Sequence, residues 1–400
     1  MTEWKTYRYT EIADLIGGGT PKTSEPLYWD GDIPWLSVKD FVGDSKYVFS
    51  TEKHITKLGL ENSSTKLLQK DDIIISARGT VGEMAMIPFP MSFNQSCFGI
   101  RAKGSIDPHF LYYYTKTKVN ELKGNSHGSV FDTITRATFD NIICSLPPLA
   151  EQRRIAGILS AIDDKIENNR RINTNLELQA QALFDEWLCK VNTIKGTFND
   201  IIDATLAGDW GQETLQGNYT HEVYCIRGAD IPALRNGDKG KMPIRYILER
   251  NYLVKQLRAN DIVIEISGGS PTQSTGRVCM ITKSLLDRLG KDVVCTNFCR
   301  AITPKNGYAI FIFLYWQMLY NKNTMFSYEN GTTGIKNLNI ADLISKEPIN
   351  VPKQEDVDKL NVVLQPIYDQ IYANGLQNET LATFRDTLLP KLMNGEIITK

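Results

Sequence analysis

Two stretches of the chain carry the same apolar seam. After Pro148, steps of four and three residues link Ile155, Leu159, Ile162, Ile166, Asn169, Asn173, Leu176, Ala180, Leu183 and Trp187. The same steps recur 205 residues later at Leu360, Leu364, Ile367, Ile371, Asn374, Asn378, Leu381, Arg385, Leu388 and Leu392. A mean spacing near 3.5 predicts two long helices packed along a coiled-coil seam, and the repeated asparagine pair predicts polar layers that fix register. The alternative is two amphipathic helices, each packed on its own domain. Pro366 falls inside the second pattern and predicts a kink or a delayed start there.

The segments ahead of each seam are mixed. Short apolar runs such as IIISA (73–77) and IVIEI (262–266), bounded by Asp and Gly, read as strands. HFLYYYTKTKVNELKG (109–124) reads as a helix closed by glycine. The longest apolar run, YAIFIFLYWQML (308–319), is too short for a membrane span and predicts a buried helix or strand.

These segments also repeat. LSVKDF (36–41) answers IRGADI (226–231) at an offset of 190, and DDIIISARG (from 71) answers NDIVIEISG (from 260) at 189. SFNQSCFGIRAK, ending at Lys103, answers VCTNFCRAITPK, ending at Lys305, at 202. SLPPLAEQ, with Pro148, answers INVPKQED, with Pro352, at 204. Offsets that rise in order are what loop insertions in one copy of a duplicated domain produce. The chain therefore divides into a globular unit (1–148), a long helix (149–192), a second globular unit (193–351) and a second long helix (352–400). The fold class is α+β: two duplicated mixed α/β domains separated by two long helices that form an antiparallel coiled coil, with pseudo-twofold symmetry.

Composition narrows the function. With 42% apolar and 23% charged residues over 400 positions, the chain is globular and has room for two to four units. Lys plus Arg number 45 and Asp plus Glu 46, which excludes a globally basic nucleic-acid binder but not a local basic groove. Residues 1–145 carry 16 basic and 17 acidic side chains, whereas residues 191–348 carry 18 and 15. The second globular unit is thus mildly basic. The start, MTEWKTYRYTEIADL, lacks the apolar core of a signal peptide. The seven cysteines are odd in number, and Cys295 and Cys299 have no second pair at a zinc-ligand spacing. Reduced structural thiols in a cytoplasmic protein are the expectation.

No catalytic motif emerges. DPHF at Asp107 has His where an adenine methyltransferase needs its second proline, and GGGT (17–20) lacks the Gly-Lys-Ser/Thr of a phosphate-binding loop. Asp163, Asp164 and Lys165 are the nearest approach to a nuclease cluster, but their place on a seam-bearing helix predicts a solvated face. His54, His109, His127 and His221 are scattered.

Several longer stretches bear a resemblance. GGGTPKTSEPLYWDGDIPWLSVKDF (17–41), KDDIIISARGTVG (70–82), FNQSCFGIRA (93–102) and LPPLAEQRRIAGILSAIDDKIENN (146–169) resemble the specificity subunits of type I restriction-modification systems. VPKQEDVDKLNVVLQPIYDQI and LLPKLMNGEI resemble the same family's second helical region. The second domain departs from the family's opening after Gly196. The resemblance implies two target-recognition domains (1–148 and 193–351), each reading one half of a bipartite, asymmetric double-stranded DNA site. The helices between them would act as spacers and dock two modification (methyltransferase) subunits. It implies no catalysis and no cofactor in this chain: S-adenosylmethionine would belong to the modification subunits, and ATP with Mg to restriction subunits that translocate and cleave. No membrane role is implied.

Reading DNA needs Arg, Lys, Asn, Gln and hydroxyl side chains on loops. The candidates in the first domain are Thr20, Lys22, Arg78, Thr80, Asn94, Gln95, His127 and Ser129. In the second they are Arg227, Ser270, Thr272, Gln273, Arg277, Thr332, Thr333 and Lys336. Arg78 and Arg277 lead, because Arg can grip guanine through two parallel hydrogen bonds. The loop SGGSPTQSTGR is five residues longer than its counterpart, which predicts unlike half-sites. The rival function is a non-DNA interaction scaffold with two binding domains on a coiled coil; an enzyme acting alone on DNA is a second rival.

Overall fold

Asp71 and Asn260, at the 189 offset, both adopt left-handed backbone angles (φ 70° and 76°) although neither is glycine. Each donates its backbone N–H across a turn, to Ile87 O (2.8 Å) and Ile281 O (2.7 Å). The repeat in the sequence is therefore a repeat in the backbone. The computed structural model describes residues 4–41, 43–124, 133–270, 273–331 and 335–397. It comprises two units, Met1–Glu167 with Leu381–Lys400, and Asn168–Thr380.

In the first unit one sheet runs Ala13–Gly17, Cys97–Ala102, Ile73–Ser76, Met84–Met86. In the second unit the same order appears as Ile202–Ala207, Cys299–Pro304, Ile262–Glu265, Val278–Met280. Each unit adds a second sheet in which one parallel pair sits among antiparallel ones. Leu36 faces Phe93 in one and Ile226 faces Cys295 in the other, matching offsets of 190 and 202. The period-2 pattern sorts side chains between two cores. Ile73 and Ile75 join the cluster around the helix Pro108–Gly124, while Ile74 points to the cluster between the sheets. Ile262 and Ile264 part from Val263 in the same way.

The DPHF segment is a helix start. Asp107 Oδ1 accepts the N–H groups of His109 and Phe110 at 3.0 Å each, and Pro108 opens the helix where its missing N–H costs nothing. The long apolar run forms the helix Ala309–Asn321, which is buried almost throughout. Among the described residues no helix is long and apolar enough to cross a membrane. All seven cysteines are free thiols, and only Cys189 is exposed.

The long helices run Leu149–Lys190 and Gln354–Met393. Residues 149–167 and 381–393 belong to the first unit, and 168–190 with 354–380 to the second. In the second unit Asn169 Nδ2 donates to Asn378 Oδ1 (2.8 Å), and Asn374 Nδ2 donates to Asn173 Oδ1 (2.7 Å). Rising numbers on one helix meet falling numbers on the other, so the pair is antiparallel and the asparagines form the polar layers.

Three local expectations change. Pro366 neither ends its helix nor delays its start: the helix begins at Gln354 and continues past it. The residue is exposed, and the carbonyl that loses its donor belongs to Val362 on the same solvent-facing side, where water can serve instead. Leu183 leaves the seam and is 41% exposed, while Phe184 is buried against Phe311 and Tyr315. A straight helix drifts relative to a 3.5 repeat, and here the helix packs on its domain rather than on its partner. Asp163 is not on a solvated face. It is buried, bonded to Arg385 Nη1 (2.6 Å) and Tyr113 Oη (2.5 Å).

Candidate nucleic-acid interface

In each unit the ends of the two sheets bring three segments together. In the first these are the turn at 37–40, the loop at 77–82 and the turn at 94–96. Asn94 N donates to Leu36 O (2.9 Å), and Ala77 N donates to Ser96 O (2.7 Å). In the second unit Thr296 N donates to Ile226 O and Ile266 N to Phe298 O, both at 2.9 Å. A buried aspartate closes the first turn in both copies. Asp40 accepts from Ser37 N (2.7 Å) and Glu52 N (2.7 Å), and Asp230 accepts from Arg227 N (3.0 Å) and Lys241 N (3.1 Å). Gly18 and Gly208 complete the frame. A Cβ on either would lie 2.1 Å from Asn94 O or 1.8 Å from Thr296 O, so no other residue fits. That Gly208 occupies this place restores the opening of the second domain, whose sequence had diverged.

The middle loop shows the insertion directly. Gly82 N donates to Ser76 O and Gly276 N to Glu265 O, both at 2.9 Å, so the second loop closes the same hydrogen bond with five more residues inside it. Both closing glycines have positive φ (89° and 101°).

On this shared frame the side chains differ. The first unit has a groove of about 350 Å³ whose lining includes Trp35, Lys39, Glu52, Lys53, Arg78, Asn94 and Ser96. Lys39, Lys53 and Arg78 are exposed, and no described residue pairs with the side chains of Lys39 or Arg78. The Lys53 ammonium lies 5.5 Å from the Trp29 ring centre. Thr20 Oγ1 donates to Gln95 Oε1, tying the segment after Gly19 to the turn at 94–96. Lys22 is exposed and its carbonyl takes the Trp29 indole N–H (3.2 Å). Thr80 is exposed and its carbonyl accepts from Ser76 Oγ.

In the second unit the arginines are already engaged. Arg277 donates from Nε and Nη2 to the two oxygens of buried Glu265 (2.7 and 2.5 Å). Arg227 donates from Nε and Nη2 to Asp230 (2.9 and 3.1 Å) and also reaches Lys241 O (2.8 Å). These hydrogen bonds push both guanidinium pKa values up and hold the groups charged. They also occupy the Nε–Nη2 edge of each guanidinium, which fixes its orientation and leaves the Nη1 end to face a further partner. Ser270 and Gln273 pair with each other, Ser270 N donating to Gln273 O (2.7 Å) and Gln273 N to Ser270 Oγ (3.0 Å). Lys336 stands opposite Gly268 in a short ladder, 2.9 Å from Glu329 and 4.5 Å from the Phe326 ring centre. Burial would raise the Glu329 pKa, but the Thr275 N–H and hydroxyl and the Lys336 ammonium outweigh it and hold it below its usual range.

Arg78, Asn94, Thr20 and Gln95 therefore gather at one locus, and Arg227 and Arg277 at its counterpart. His127, Ser129, Thr272, Thr332 and Thr333 lie outside the described residues. Sequence reasoning missed Lys39, Lys53, Lys241 and Phe298. Lys39 was within reach, since it stands inside LSVKDF, a segment that marks the duplication. Lys241 enters through its own N–H bond to the closing Asp230, and Lys53 follows Glu52, whose N–H bonds the closing Asp40; no local pattern announces either.

A duplicated α+β fold with one polar locus per copy defines a two-headed binding protein. Residues 1–178 and 228–379 match the family described as type I restriction modification DNA specificity domain, and the chain belongs to that family. It is a DNA-specificity subunit, the non-catalytic recognition component of a restriction-modification assembly. The type I restriction enzyme MjaIX specificity subunit of Methanocaldococcus jannaschii is 28% identical over 99% of this chain and 94% of its own length. The HindI specificity subunit of Haemophilus influenzae is 22% identical, covering 99% of this chain and 100% of its own. The crystal structure of the type I restriction-modification S subunit from M. genitalium shares the fold, with a TM-score of 0.51 at 16% identity over 98% and 96% of the two chains. Nothing in these comparisons favours a scaffold without a DNA role.

Proposed function

We propose that the two loci read the two halves of one split, asymmetric DNA site. The observation that carries this reading is a single backbone frame used twice with unlike side chains: exposed cations around a groove in one copy, carboxylate-bound arginines and a longer loop in the other. A common frame suits phosphate positioning in both copies, and divergent side chains suit reading different bases. In the first unit Arg78 and Asn94 are the proposed base readers, with Lys22, Lys39 and Lys53 toward phosphate and Thr20, Gln95 and Thr80 at the edge. In the second, Lys241, Gln273, Ser270 and Lys336 serve alongside the positioned Arg227 and Arg277.

The long helices are proposed to set the distance between half-sites. The first has 42 residues, and at 1.5 Å per residue it extends about 63 Å. One DNA turn is about 34–36 Å, so the length suffices. Both helices also turn apolar side chains to solvent, including Leu178, Val362, Val363 and Phe384. These are the proposed docking points for two modification subunits, which would bring S-adenosylmethionine; restriction subunits would bring ATP and Mg. The assembly is proposed to act in the cytoplasm.

The test is methylome sequencing of cells that express this chain with its modification partner. Replacing residues 193–351 by the matching segment of a relative should change one half of the methylated motif and leave the other intact. A motif altered in both halves, or in neither, would overturn the reading.

A further inference from the structure

We propose that Phe298 makes an apolar contact with a DNA base in the half-site read by the second unit, a contact without a counterpart in the first. This rests on the two-locus reading above. Phe298 is 62% exposed, yet its backbone carbonyl and the turn that carries it are hydrogen-bonded. Its carbonyl accepts from Ile266 N (2.9 Å), and the turn it occupies is closed by Cys299 N donating to Thr296 O (2.9 Å). Thr296 and Cys299, which flank the turn between the strands Val293–Cys295 and Cys299–Pro304, are both buried. The ring is thus presented to solvent by a fixed turn rather than carried by slack chain.

A single exposed apolar residue is ordinary by itself. Its position is what gives this one meaning. The Phe298 turn is hydrogen-bonded to the strand end that leads into Arg227, and to the segment following Glu265, which holds Arg277. Lys241, exposed, sits on the far side of the Arg227 turn, where the Arg227 guanidinium reaches its carbonyl. Cations beside a flat apolar ring match a duplex, whose phosphates take the charges while a base meets the ring. In the first unit the equivalent position is Ser96, a small polar residue lining the groove. An apolar ring engages DNA either by packing on a thymine methyl in the major groove or by inserting at a base step. Both are the same ring-to-base contact, and the duplex used can separate them.

The experiment uses the assembled complex of this chain with its modification subunits and a duplex carrying the motif found by methylome sequencing. Wild type, Phe298→Ala and Phe298→Trp are compared by equilibrium binding, with thermal melting as the check on folding. The expected result is about tenfold weaker binding for F298A, an unchanged melting temperature, recovery with F298W, and relaxed specificity at one position of the second half-site. Uracil in place of thymine there reproduces the loss if the contact is to a methyl group, and 2-aminopurine brightens on wild-type binding if the ring enters a step. Equal binding by wild type and F298A overturns the proposal while leaving the two-locus reading intact. Failure of the wild-type complex to prefer the motif duplex over a scrambled one overturns that reading itself.

Discussion

The Arg385 guanidinium on the second long helix donates through Nη1 to Asp163 Oδ1 on the first, 2.6 Å away, inside the first unit. Both side chains are almost fully buried, at 2% and 4% exposure. Tyr113 Oη donates to the other Asp163 oxygen (2.5 Å), and Asp44 and Asp386 take further guanidinium N–H groups. Burial alone would weaken the arginine as a base, but the three carboxylates outweigh it and push its pKa up.

This network predicts a large penalty for removing one partner. Arg385→Met leaves Asp163 buried without a cation and should cost about 3–5 kcal/mol. Chemical denaturation of the variant measures it. A loss below about 1 kcal/mol would mean that Asp163 finds water or another donor.

The asparagine layers predict strong coupling. Asn169→Leu removes the donor to Asn378 Oδ1 and should cost roughly 1–3 kcal/mol, whereas Asn378→Leu leaves Asn169 Nδ2 its bond to Gln377 Oε1 and should cost less. The double variant should lose less than the sum, because an apolar pair leaves nothing unsatisfied. A double-mutant cycle by denaturant titration reads the coupling; simple additivity would deny that the pair acts as a unit.

Arg78 and Arg277 should behave differently. Arg78→Ala removes an exposed cation that no described residue pairs with, and should weaken DNA binding by roughly 1–3 kcal/mol with no change in melting. Arg277→Ala leaves Glu265 buried and unpaired, so it should lower the melting temperature first. Glu265→Gln in the same chain should restore part of that loss. Equal melting of wild type and R277A would show that the Glu265 pair carries no structural load.

His221 predicts a pH dependence. Its Nδ1 lies 2.7 Å from Glu249 and its Nε2 2.9 Å from Asp292, and the ring stacks on Tyr252 with centres 3.8 Å apart. Burial would lower its pKa, but the two carboxylates outweigh it and raise the value above the ordinary 6.5. A raised folded-state pKa contributes stability that is complete below 6.5 and is lost as pH rises through the higher value. Wild type should therefore lose more melting temperature between pH 6 and pH 8 than His221→Gln does. Parallel curves for the two would remove the imidazolium from the account.

The spacer prediction needs both helices. A heptad inserted after Asn173 alone shifts everything beyond it against the second helix and should destabilise the pair. A matched insertion before Asn374 restores the partners and should lengthen the spacing in the methylated motif. If the spacing stays constant in the doubly extended chain, the helices do not set it.

The sequence by itself determined the duplication, the strand and helix types, the antiparallel asparagine register and the five-residue loop insertion. Each of these is local or periodic, so it survives in the order of residues. It also pointed to Arg78 and Asn94, because their segments match across the two copies. Tertiary structure decided the rest. It buried Asp163, whose neighbours in sequence look solvated, because Arg385 arrives from 222 positions away. It bound Arg277 to Glu265 across a strand pair, turning a free-looking base reader into a held one. It brought Lys39, Lys53 and Phe298 to the loci through backbone hydrogen bonds between distant turns. A side chain's charge can be read from its identity, but whether that charge is free depends on which carboxylate the fold brings within hydrogen-bond reach.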